Sequence, residues 1–198
     1  MVDDEMQRIV QALQEAGTQD PDLSATYELH TRLFRVLAQA RDDILSEELE
    51  RVDEAELQAR LLQGLPLLAF AQVPLAADRF AQLVWNVAEL LTESNPDLEG
   101  QRVPGSPAEC LALARQRFAE GQVIEGQADV ESGNMELGSP GLGEGESEPS
   151  LAQMSVDQAL KPYLEWGAER VLPHVEVEYW KRGYCPVCGG TPGFAFLG

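Results

Sequence analysis

Between residues 76 and 94 the apolar side chains Phe80, Leu83, Val84, Val87, Leu90 and Leu91 recur at intervals of three and four. That spacing gathers them on one stripe of an α-helix, whereas a strand would alternate them between two faces. The same period runs through most of the chain and sets its fold class. Residues 3 to 16 carry it in Met6, Ile9, Val10 and Leu13, with Asp3 and Asp4 suited to a helix start and Gly17 to its end. Pro21 opens a long helix to about residue 49, with Leu23, Tyr27, His30, Phe34, Leu37, Ile44 and Leu45 on one side and Leu29, Leu33 and Val36 on an adjoining side. So wide an apolar arc predicts a central helix covered from more than one direction.

Gly and Pro punctuate the remainder. A short helix from Asp53 to Leu62 is broken by "GLPLL" at 64–68, and "SNPD" at 94–97 ends the 76–94 helix. "SPAE" at 106–109 starts another, since Ser106 caps, Pro107 suits the first helical position and Glu109 closes a capping box. That helix carries Cys110, read as a buried thiol, and stops at Gly121. The last helix runs from about Val156 to Leu172, with Pro162 a candidate for its true start and Pro173 its end. With almost no strand signal before residue 175, the expected architecture is an all-α bundle of about six helices with a short extended C-terminal hairpin.

Residues 125–150 depart from this pattern. They hold six Gly, four Ser, two Pro and seven acids without a Lys or Arg, too little apolar area to offset ordering entropy. A flexible acidic loop is expected there, the alternative being an interaction segment around Met135 and Leu137. Over the whole chain 34 acids oppose 14 bases, a formal charge of -20. That polyanion disfavours nucleic acid as a partner, and the charge reads as a solvated surface. The N-terminus lacks a signal-peptide pattern and no window is apolar enough to span a membrane. Three cysteines make no disulfide scaffold for 198 residues, so a reduced, cytoplasmic protein is expected.

Chemistry is concentrated at the tail. There are two histidines: His30 on the apolar stripe, read as a hydrogen-bonded core residue rather than a catalytic one, and His174 after Pro173, a helix-dipole partner or a weak metal ligand. No nucleotide-binding glycine loop, nucleophile elbow or HExxH pattern is present. "GYCPVCGG" places Cys185 and Cys188 in a C-P-x-C-G frame. A thioredoxin-type pair needs a helix starting at the first cysteine, and Gly189, Gly190, Thr191 and Pro192 begin one poorly. A zinc knuckle instead needs a tight turn with glycine after the second cysteine and backbone N–H groups aimed at both sulfurs. Pro186 and Gly189 suit that turn, and Tyr184, Phe194 and Phe196 suit the arms of a small hairpin. Cys185 and Cys188 are therefore the expected metal ligands, for zinc or iron, and they are two of the four that a closed site needs.

The segment "LPHVEVEYWKRGYCPVCGGTPGFAFL" resembles the junction between the helical and metal-binding domains of formate dehydrogenase accessory proteins, the FdhE family. That family's first cysteine pair has the form C-P-V-C-G-x-x-P, as in Cys185 to Pro192. "LKPYL" at 160–164, "LQGLPLL" at 62–68 and "ELHTRLFRVLAQA" at 28–40 are similar to weaker family patterns. The resemblance implies a cytoplasmic, non-enzymatic maturation factor that binds the catalytic subunit of a formate dehydrogenase and carries paired rubredoxin-like cysteine modules. It implies a helical domain over 1–173 and the first part of a metal-binding domain over 174–198, with partner cysteines expected some tens of residues downstream. Two other arrangements stay open: two chains each giving Cys185 and Cys188 to one shared zinc, or a thiol–disulfide redox protein with Cys185 as nucleophile.

Overall fold

A computed structural model describes residues 2–47, 49, 53–121 and 149–190. Within them lie six α-helices and no strand: α1 Val2–Gln19, α2 Ser24–Ile44, α3 Glu54–Gln63, α4 Ala77–Ser94, α5 Pro107–Gly121 and α6 Leu151–Val171. The all-α bundle expected from the periodicity is the fold. The acidic stretch 122–148, including Met135 and Leu137, lies outside the described residues, as do Phe194 and Phe196.

Local chemistry explains most boundaries. Asp53 caps α3 by accepting from the Ala55 N–H at 2.8 Å. Ser106 accepts from the Glu109 N–H at 3.3 Å, while the Glu109 carboxylate takes the N–H of Gly105 at 3.0 Å rather than that of Ser106. Three boundaries differ from the sequence expectation. Helix α1 runs through Gly17 to Gln19, and Gly17 faces Tyr27 of α2, where a Cβ would stand 3.4 Å from the Tyr27 Cβ. Helix α2 ends at Ile44, not near 49: Arg170 Nη2 takes the carbonyls of Leu45 and Glu47 at 2.9 and 3.1 Å, away from any helical continuation. Helix α6 begins at Leu151, where Ser150 and Gln153 form a capping box. Pro162 is therefore interior to α6, buried among its neighbours, and does not mark the start.

The core centres on α4 and α6. Phe80, Val84 and Val87 of α4 meet Val156, Ala159, Tyr163 and Trp166 of α6, with Cys110 and Ala114 of α5 closing one side. Phe80 and Tyr163 pack edge to face at 5.7 Å between ring centres. Arg117 of α5 grips Asp157 of α6 with two bonds of 2.9 and 2.7 Å. Helix α6 buries residues from Leu151 to Val171 against its neighbours and keeps one polar face, Lys161, Glu165 and Glu169, exposed. Helix α2 does touch α1, α4 and α6, yet among its residues only Thr31 and Ile44 are buried. Its wide apolar arc is thus half covered, and the central position expected for it belongs to α4 and α6.

Candidate metal centre

The tail folds back onto the gap between α3 and α4. After α6 the chain passes through two short 3-10 turns, Leu172–His174 and Val177–Tyr179, and reaches a tight turn at Cys185–Gly190. The Gly189 N–H donates to the Cys185 carbonyl and the Cys185 N–H to the Gly190 carbonyl, both at 2.8 Å. Gly189 sits at φ +77, in the left-handed region where a Cβ is strained. This is the turn the sequence pattern anticipated, with glycine where the backbone demands it.

The backbone acts on both thiols: the N–H groups of Val187 and Cys188 lower that of Cys185, and the N–H of Gly190 lowers that of Cys188. The Cys188 thiol itself donates to Cys185, and with the backbone bonds this outweighs burial and holds the Cys185 thiol down at about 6. Cys188, which would lose that bond on ionising and is also desolvated, is pushed up strongly. At neutral pH this describes a Cys185 thiolate held by the Cys188 thiol, and chelation of a cation by both sulfurs would require Cys188 to give up its proton.

The knuckle is fastened to the helical body mainly by backbone. The N–H groups of Leu67 and Leu68 donate to the carbonyls of Pro186 and Val187 at 2.8 and 2.9 Å. The Tyr184 hydroxyl donates to the Gly64 carbonyl at 2.7 Å, and Trp180 Nε1–H to the Tyr184 carbonyl at 2.7 Å. Arg60 of α3 fixes the same segment with Nε and Nη2 on the Pro66 carbonyl at 2.9 and 2.7 Å. Val187, between the two cysteines, is 4% exposed and belongs to the main core with Leu67 and Leu68. By local structure the sequence marked 64–68 as a helix breaker, with no contact to the tail. A signal for its second role was present: an apolar loop that is buried must find partners for its backbone N–H groups outside any helix.

The described residues supply two thiolates and no more. No group of three or more His, Cys, Asp or Glu able to hold a metal occurs among them. His30 does not have the core position first read for it, whereas His174 does stand in the last turn of a helix, Leu172–His174. His174 is exposed, its Nδ1 2.8 Å from a Glu54 carboxylate oxygen, which holds the ring to the start of α3. His30 is exposed rather than in the core; its Nδ1–H donates to the Thr26 carbonyl at 2.7 Å within its own helix. Cys110 is fully buried on α5, where desolvation raises its thiol, as expected of an inert core cysteine. Were a zinc or iron ion bound at this turn, Cys185 and Cys188 would be two of its four ligands. Such an ion would cross-link the knuckle to whatever supplies the other donors.

The thiolate has a direct readout. Alkylation of Cys185 by iodoacetamide should rise with pH through a midpoint near 6, because the reactive thiolate is lost as pH falls below it. Cys188→Ala removes the donated S–H and should move the midpoint up toward about 8.5, the ordinary thiol value. A wild-type midpoint already at that value would contradict the thiol–thiolate bond.

No protein-family model, curated protein or solved structure matches this chain. No helix of the described residues is long and apolar enough to cross a membrane.

Proposed function

We propose that this protein is a non-enzymatic accessory factor that binds the catalytic subunit of a formate dehydrogenase and supports its assembly or activity in the cytoplasm. The helical body serves as the docking part, and Cys185 with Cys188 forms half of a zinc or iron site whose remaining donors come from outside the described residues. One observation carries the reading. The two segments resembling FdhE patterns, "LQGLPLL" and "CPVCG", stand more than a hundred residues apart yet pair directly, Leu67 with Pro186 and Leu68 with Val187. A motif pair that forms a single physical unit is a stronger likeness than either motif alone.

The full chain immobilised on resin should retain the dehydrogenase catalytic subunit from purified components. Failure of the folded chain to retain it would overturn the reading. The thiol redox alternative draws on the same Cys185 thiolate, but no helix begins at Cys185 among the described residues, and the N–H groups serve both sulfurs rather than one. Turnover of a disulfide substrate would favour it.

A further inference from the structure

Helix α4, the short turn Pro96–Leu98 and the first residue of α6 border an open hollow of about 690 Å³. Its floor is apolar, formed by Trp85, Ala88, Leu98 and Leu151. Ala88, Leu98 and Leu151 make a second buried cluster apart from the main core. The Trp85 indole is fixed beside them by donating its Nε1–H to the Pro104 carbonyl at 2.7 Å. The rim is acidic: Glu89, Glu93 and Glu99 line it, and no Lys, Arg or His does. Glu89 and Glu93 stand four residues apart on α4, a spacing at which like charges repel. Arg32 pairs with Glu93 at 2.6 Å, while Glu89 and Glu99 have no ionic partner among the described residues. The chain that leads into Leu151 adds no cation, since residues 125–150 hold seven acids and no Lys or Arg.

We propose that this hollow docks a basic, apolar segment of a partner protein, with one large apolar side chain seated on Trp85, Leu98 and Leu151 and the lysine or arginine side chains next to it against Glu89, Glu93 and Glu99. Charge complementarity selects the occupant. Carboxylates standing beside uncovered apolar surface suit a ligand that brings both cations and a side chain to bury. Nucleic acid and anionic lipid would bring negative charge to a negative rim. The chain's own 125–150 stretch would do the same, and a second copy offers 14 bases against 34 acids. A simple cation would leave the floor uncovered. The inference rests on the accessory-factor reading in taking a protein as the partner. Its test uses peptides in place of the dehydrogenase, so the two fail separately.

The test titrates the full chain into three short fluorescein-labelled peptides. The first has a Leu-Phe-Leu centre flanked by lysines, the second the same lysines around Ser-Gly-Ser, and the third the first centre flanked by glutamates. The salt is set at about 150 mM, where the screening length is about 8 Å and general attraction to a chain of charge -20 is weak. The first peptide should bind about tenfold more tightly than the second, and the third should not bind. Glu89→Gln combined with Glu99→Gln should weaken the first about fivefold, the effect of two exposed ion pairs. Glu165→Gln combined with Glu178→Gln removes the same charge at exposed positions elsewhere and should change binding less than about twofold. All four positions are exposed, so neither variant threatens the fold. Carbodiimide coupling of the bound lysines, mapped by mass spectrometry, should fall on Glu89, Glu93 and Glu99. Absence of binding by the first peptide, equal binding of the first two, equal losses in the two variants, or coupling concentrated on other acids overturns the proposal. So does a dimer in sedimentation that the first peptide dissociates, since the hollow would then belong to a second copy.

Discussion

Trp166→Ala should lower folding stability by about 3–5 kcal/mol, the cost of truncating a large aromatic in a packed core. Trp166 is 0% exposed and lies in the main cluster formed by α4, α5 and α6. The Arg170 guanidinium stacks on its ring at 4.4 Å while its nitrogens hold the Trp166 carbonyl and the end of α2. Removing the indole therefore opens a cavity and also loosens the clamp that stops α2. The indole Nε1 is buried without a hydrogen-bond partner among the described residues, so part of the side chain's burial is unfavourable. Trp166→Phe removes that donor while keeping most of the ring, and its loss should be much smaller than alanine's. Urea unfolding followed by circular dichroism measures both. Equal losses for the two variants would show that the ring fills no essential volume.

That clamp also shows what could be read from sequence and what could not. The starts of α3 and α5, and the stripe of α4, were legible because each rests on neighbours within one or two turns: Asp53 with Ala55, Ser106 with Glu109, Phe80 with Val84 and Val87. The stop of α2 was not, because it depends on Arg170, 125 residues from Leu45. Pro162 invited a boundary, yet the Ser150 and Gln153 box set the start of α6 eleven residues earlier. His30 fell on an apolar stripe, but the stripe borders an open groove, and periodicity alone does not say which part of an arc finds a neighbour. The knuckle turn was legible because its glycine and proline answer to backbone angles. Its seat was legible only in part: the apolar 64–68 loop signalled N–H groups in need of partners, but backbone-to-backbone bonds such as Leu67 to Pro186 leave no residue-type signature of which partners they find.

That seat leads to the second large effect. Val187→Asp should unfold the helical body together with the knuckle, and not the knuckle alone. Val187 is 4% exposed in the same cluster as Leu67, Leu68, Leu61 and Trp166, so an aspartate there must bury a carboxylate or expel the turn. A buried unpaired charge costs several kcal/mol, a large part of the 5–15 kcal/mol typical of a domain's whole stability. Expulsion is no cheaper escape: it removes the acceptors of Leu67 and Leu68 and uncovers the apolar loop that α3 and α4 share. Val187→Ala, which loses about two methyl groups, should cost about 1.6 kcal/mol at 0.8 per group. The two mechanisms separate in one experiment. Thermal unfolding by circular dichroism reports the helices, and alkylation of Cys185 and Cys188 reports the knuckle. If the knuckle is part of the core, Val187→Asp shifts both transitions down together. If the cysteines become freely reactive while the helical transition stays at its wild-type midpoint, the knuckle is a flap resting on a body that stands without it.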